Sequence, residues 1–120
     1  MCIRDSSAPI EASRYAEAGL ALIPNLTDGP DRQSLELALQ IARANALFAL
    51  KGYTAPDTVA ALTAAKLLLD AGVGADLQRF SVLFGLCGAN FMAARWEPAL
   101  ALAHQIVAVS YTHLDVYKRQ

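Results

Sequence analysis

The stretch from Leu35 to Leu69, LELALQIARANALFALKGYTAPDTVAALTAAKLLL, most constrains what this chain can become. It reads as two apolar helices meeting at a tight corner, Lys51-Gly52-Tyr53-Thr54-Ala55-Pro56. In the first of them Leu35, Leu39, Ala42, Ala46 and Leu50 recur at spacings of four, three, four and four, one face of a 3.6-residue helix. Leu37, Ile41, Ala44, Leu47 and Phe48 make a second stripe beside it. A helix apolar over so much of its girth must be covered on more than one side. Gly52 supplies the left-handed residue that ends a helix, and Pro56 opens the next, where no donor N–H is needed. Asp57 then falls in the first turn, where a negative charge suits the helix dipole.

The rest of the chain follows the same grammar. Residues 9–23 predict a helix with Ile10, Tyr15, Ala18 and Leu22 on one side, closed by Pro24. Asn25 to Pro30 is a run of turn residues, with Asp28 or Gly29 as the cap of the helix over 30–51. The second hairpin helix covers 56–71 and stops at Gly72. A fourth helix is predicted over 77–94, with Leu77, Phe80, Leu83, Phe84, Cys87 and Phe91 on its apolar side. A corner at Arg95-Trp96-Glu97 leads to a fifth helix over 98–108. The fold class is therefore all-α, about five helices. Its composition agrees: 55% of the 120 residues are hydrophobic, Ala and Leu foremost, and the seven Gly and five Pro fall mostly between periodic segments.

The two ends read differently from the middle. Residues 1–6 (MCIRDS) and 109–120 (VSYTHLDVYKRQ) resemble translated sequencing-adapter read-through, a peptide pair that recurs at the ends of metagenomic gene calls. They are set aside from functional reasoning, as an expression scar would be. The expectation is a fragment, 7–108, of a longer bacterial protein. The formal charge of −1 becomes −2 once Arg4, Lys118, Arg119, Asp5 and Asp115 are removed. Neither value provides the basic field that holds a nucleic-acid backbone. The longest nearly uncharged run, Phe80 to Ala94, is too short and too polar for a membrane span. Cys2 and Cys87 show no pairing pattern, which points to a reducing compartment and a cytoplasmic location.

An internal echo links the second half to the first. Ala61-Leu62-x-x-Ala65-x-x-Leu68 returns 38 residues later as Ala99-Leu100-x-x-Ala103-x-x-Ile106, each copy following an aromatic at a corner, Tyr53 or Trp96. Self-similarity at this period is the mark of a helix-turn-helix solenoid.

These segments resemble a known family. Leu37-Ala38-Leu39-Gln40-Ile41-Ala42 and Lys51-Gly52-Tyr53-Thr54-Ala55-Pro56-Asp57 are similar to that family's LELQLALG…ATKGYAAPEV; Val82-Leu83-Phe84-Gly85-Leu86 is similar to VLWGLW; Gly19-Leu20-Ala21-Leu22-Ile23-Pro24 is a third piece. The family is the tetratricopeptide-like repeat region of large bacterial signalling proteins built around an AAA-type ATPase. These carry an adenylate/guanylate cyclase or a winged-helix DNA-binding domain upstream. Arg43, Ala44 and Asn90 depart from its pattern, where an apolar residue, Gly and often Tyr stand. The resemblance implies antiparallel hairpins stacked as an α-solenoid, a scaffold for protein–protein contact or sensing within a signalling ATPase linked to a nucleotide cyclase. It implies, alternatively, the same tail in an ATPase-type transcriptional regulator. Its partners would be the other repeats of the parent chain and a further protein.

No catalytic constellation is present in 7–108. There is no G-x-x-x-x-G-K-[ST] phosphate loop, and Gly72-x-Gly74 lacks a third glycine and a preceding strand. A free-standing helical enzyme is disfavoured for want of paired carboxylates or a His cluster. His104, alone outside the ends, builds neither a metal site nor a triad, and Cys87 reads as a small core residue. No enzyme activity, cofactor or metal is expected of this segment. Three residues are singled out as a candidate interaction surface: Arg43, which interrupts an apolar helix and lines a concave groove or snorkels to solvent, and the corner aromatics Tyr53 and Trp96.

Overall fold

The computed structural model describes residues 2–119, with side chains over 8–112. Met1 and Gln120, and the side chains of the remaining terminal residues, all within or beside the segments set aside above, lie outside that set. Five α-helices account for nearly all of it: α1 Cys2–Leu22, α2 Pro30–Lys51, α3 Pro56–Asp70, α4 Asp76–Met92 and α5 Trp96–Arg119, with a short 3₁₀ turn Ile23–Asn25 after α1. No strand occurs among the described residues.

The corner chemistry decides where these helices start and stop. Pro30 and Pro56 open α2 and α3 at positions that need no donor. Gly29, not Asp28, caps α2, and Asp28 instead lies 3.8 Å from Arg32. Gly52 ends α2, its N–H donating to the Phe48 carbonyl at 2.8 Å, and Lys51 donates to Asp57 at 2.7 Å across the corner. That ion pair holds the Asp57 carboxyl below the usual carboxylate range. At α4 Gln78 Oε1 accepts from the Ala75 N–H at 2.9 Å, the half of a capping box that an alanine cap permits. Two helices outrun the sequence reading. α1 begins upstream of Pro9 and α5 continues past Ala108, because neither stretch contains a residue that stops a helix once started; Pro9 removes one N–H donor but fits helical φ.

Each helix packs on its neighbours in chain order. One apolar core runs through α2–α5: Leu37, Ala44 and Leu47 from α2, Ala61, Leu62, Ala65 and Leu69 from α3, Val82, Leu83 and Leu86 from α4, and Leu102 from α5. The approach of α3 to α4 is close because Gly85 faces Leu62; a Cβ at Gly85 would lie 3.1 Å from both Leu62 methyls. Cys87, half-buried, donates to the Ala99 carbonyl at 3.4 Å and ties α4 to α5. At the other end α1 covers α2 through Ala16, and Gly19 approaches Leu39.

Two faces differ from the sequence reading. In α2 the Leu37–Ala44–Leu47 stripe is the buried one, whereas Leu35, Ala42 and Leu50 are exposed and Ala46 is buried. In α4 the covered side is Val82, Leu83, Leu86 and Ala89; of the six residues read as its apolar side Leu83 is buried and Cys87 packs against the core, but Leu77, Phe80, Phe84 and Phe91 are exposed. Both helices are apolar over more than half their circumference, and α3 takes the face with the better-fitting small and branched side chains.

Lys66, Asp70 and Arg79 form a cluster that staples α3 to α4. Asp70 accepts from Lys66 at 2.7 Å and from Arg79 at 3.1 Å, and Arg79 also donates to the Leu69 carbonyl at the end of α3. The Lys66 hydrogen bond, reinforced by Arg79, holds the Asp70 carboxyl below its ordinary range. Thr58 presents the opposite situation. It is fully buried and its Oγ1 has no hydrogen-bond partner among the described residues. Thr58→Val removes an unsatisfied hydroxyl while keeping the shape of the side chain, so it is expected to stabilise the fold by about 1 kcal/mol. Urea titrations of the two chains, with an unchanged m-value, check this; a destabilised Thr58→Val would mean that the hydroxyl is satisfied in solution.

Candidate functional site: an aromatic groove between α2 and α4

Because α4 turns its aromatic side away from the core, a trough opens between α2 and α4. Its deeper part, about 320 Å³, is walled by Phe48 and Tyr53 on one side and Phe80 and Phe84 on the other, with Ala44, Leu62 and Gly85 at its base and Asn45 and Ser81 as polar rim groups. A shallower continuation of about 300 Å³ reaches Ala38, Ile41, Leu77 and Gln78, and Ser81 belongs to both parts.

The walls are aromatic pairs. Phe48 and Tyr53 lie with ring centroids 4.1 Å apart and planes tilted by 31°. Phe80 and Phe84, four residues apart on one helix face, stack at 6.1 Å and 21°. Such pairs hold each other's rotamers, so the walls are preformed. Tyr53 is placed by the Gly52 corner and lies against α4 at Gly88, where a Cβ would come within 3.5 Å of its ring. The trough carries no charged side chain among its lining residues. It is suited to apolar and aromatic groups with a few hydrogen bonds at the edge.

Of the three residues singled out from sequence, Tyr53 lines the trough. Arg43 faces the other way: its Nε lies 3.5 Å from Glu17 Oε2, so it neither lines the groove nor simply snorkels, but joins α2 to α1. Trp96 stands at the start of α5, packed edge-on against Phe91 at 5.2 Å and 74°, outside the trough. The structure therefore does not bring the three together. Phe48, Phe80 and Phe84 escaped the sequence reading as site residues because it counted them as core. The signal that could have found them was the surplus of apolar residues on α4, more than one buried face can absorb.

A second depression, about 370 Å³, lies where the start of α3 meets the end of α4, lined by Thr54, Pro56, Val59, Ala60, Ala89, Asn90, Ala93 and Arg95. Asn90 there donates to the Leu86 carbonyl at 2.8 Å. Among the described residues no three His, Cys, Asp or Glu side chains gather as a metal site, and no helix is long and apolar enough to cross a membrane. Compared with family models, with characterised proteins and with solved structures, the chain has no match in any of the three.

Proposed function

We propose that this chain is a stretch of a tetratricopeptide-like α-solenoid, its helices stacked as antiparallel hairpins, that catalyses nothing itself and binds an apolar segment of another protein in the α2–α4 trough. The observation that carries the reading is the aromatic-walled trough itself, charge-free among its lining residues and bounded by preformed pairs. Packing in chain order supports it, as does a radius of gyration of 15.4 Å, above the about 13.6 Å of a globular chain this long. The 38-residue echo supports it too: Ala61 and Ala99 are both buried, as small residues at a close helix contact should be.

The parent, on the resemblance of Lys51–Asp57 and Val82–Leu86, is a cytoplasmic signalling ATPase linked to a nucleotide cyclase, in which this segment is a scaffold or sensor contacting other repeats and a protein partner. Sequencing the native locus across Ser7 and Ala108 tests that part: a frame continuing into more helical repeats with an upstream phosphate loop is expected, and a winged helix in place of the cyclase would move the segment into a transcriptional regulator.

The trough is tested by selecting from a random peptide library against the 120-residue chain, then against a Phe80→Ala/Phe84→Ala variant. Both side chains stand outside the core, so the variant should fold. Peptides with two or three spaced apolar anchors are expected to enrich on the parent chain and to lose tenfold or more in affinity, about 1.4 kcal/mol, on the variant. No enrichment, or enrichment indifferent to the two phenylalanines, would sink the reading.

A further inference from the structure

The two parts of the trough lie in series, and their walls carry the same pattern. Ile41 and Leu77 line the shallow part, Phe48 and Phe84 the deep part. Seven residues separate the two levels on either wall, from Ile41 to Phe48 and from Leu77 to Phe84. Between them stand Asn45 on α2 and Ser81 on α4, each four residues after the shallow-end side chain. Each wall thus reads apolar, polar, apolar over two helical turns, about 10 Å. The levels rise together, so α2 and α4 run in the same direction along the trough. All of these residues are interior to the chain, with α1 before them and α5 after.

We propose, given that the trough binds an apolar protein segment, that this segment is an amphipathic α-helix. It carries apolar side chains at positions i and i+7, a small polar residue between them, and a basic residue beyond the anchor at the shallow end. Register decides against an extended segment. On one face of a strand, side chains recur every ~6.6 Å. The second therefore falls short of the next level and the third overshoots it. Along a helix, i and i+7 lie on one face about 10 Å apart, the spacing of the walls themselves.

Hydrogen bonding points the same way. The walls are helices that satisfy their own backbone groups, so the trough offers no sheet edge. Gln78 Oε1 already accepts from the Ala75 N–H, which leaves Asn45, Ser81 and Tyr53 as polar partners. An extended segment would turn more N–H and C=O groups into the trough than these three can pair, a penalty a helix avoids by bonding them internally.

Charge sets the ends apart. At the deep end Lys51 is already paired with Asp57. At the shallow end Asp31 and Asp76 occupy the first turns of the two walls, exposed and without an ion-pair partner among the described residues. A lysine or arginine on the bound helix complements them. Such a residue is best placed in the last turn of a helix, so the bound helix runs opposite to α2 and α4.

The test uses the full 120-residue chain and three labelled peptides of about 18 residues, long enough to hold a helix. The matched peptide has leucines at the wall spacing, a serine between them and lysines in its last turn. In the second peptide one leucine is moved to the opposite helix face; in the third a central residue is proline. Fluorescence anisotropy is expected to show the matched peptide binding about tenfold or more tighter than either control. Circular dichroism should show it gaining helix on binding. Asp31→Asn/Asp76→Asn, a surface change, should weaken it about threefold at low salt and less at high salt. Equal binding of the matched and proline peptides, lost in Phe80→Ala/Phe84→Ala, would overturn the helix and leave the trough standing as a site for apolar segments. So would library-selected peptides that bind through the two phenylalanines while the matched peptide does not. Binding of no peptide of either kind would overturn both readings. Indifference to the two aspartates would overturn the direction assigned to the bound helix.

Discussion

Replacing Gly74 with alanine is expected to lower the unfolding free energy by about 2–4 kcal/mol, although Gly74 is itself a surface residue. Two costs add. Gly74 sits at φ +90°, where an L side chain is strained. The new Cβ would also collide with Leu37 Cδ2 and come within 2.8 Å of Gln78 Oε1 and 3.0 Å of Leu69 Cδ2. Leu37 and Leu69 are among the most deeply buried side chains of the core and cannot retreat without opening a gap. Gly72, two residues earlier, separates the two costs. It has φ +93°, but a methyl group added there would meet nothing within 4 Å, so Gly72→Ala should lose about 1 kcal/mol, the backbone part alone. Urea unfolding of the pair checks this; equal effects at the two positions would show that the contact with Leu37 relaxes freely.

Leu83→Ala is expected to cost about 3–4 kcal/mol, while Phe84→Ala, the removal of a larger side chain next door, should cost less than about 1 kcal/mol. Leu83 is 1% exposed and belongs to the core shared by α2–α5. Its truncation leaves a cavity that rigid neighbours fill poorly. Phe84 is 55% exposed and touches the trough more than the core. Thermal or denaturant unfolding of the two variants decides the matter. A Phe84→Ala loss as large as that of Leu83→Ala would mean that α4 is rotated, with its aromatic side turned inward.

That rotation is where sequence and structure part. The corners were legible because they rest on local chemistry: Pro30, Gly52 and Pro56 fix the limits of α2 and the start of α3 with no help from distant residues. All five helices were legible for the same reason. Which side of a helix is covered is a different kind of fact. Leu83 and Phe84 share one apolar arc, and periodicity cannot rank them; the neighbour that arrives at that arc does, and Leu62 of α3 comes up against Gly85. The same blindness hid the trough. Tyr53 stood out because an aromatic at a corner has few local reasons to be there, whereas Phe48, Phe80 and Phe84 were lost among core-like residues. Arg43 was noticed as an anomaly, but its partner Glu17 lies 26 positions away on another helix, beyond what helical spacing can reveal.

Packing in chain order bears on how the molecule is made. No helix depends on one synthesised much later, since α2 finds α1, α3 finds α2, and each later helix meets a partner already present. A chain of this kind closes short loops in succession and can be assembled as it leaves the ribosome, one helix at a time, without waiting for its C-terminal end. At every intermediate length the newest helix shows one bare apolar side, and the next to emerge covers it.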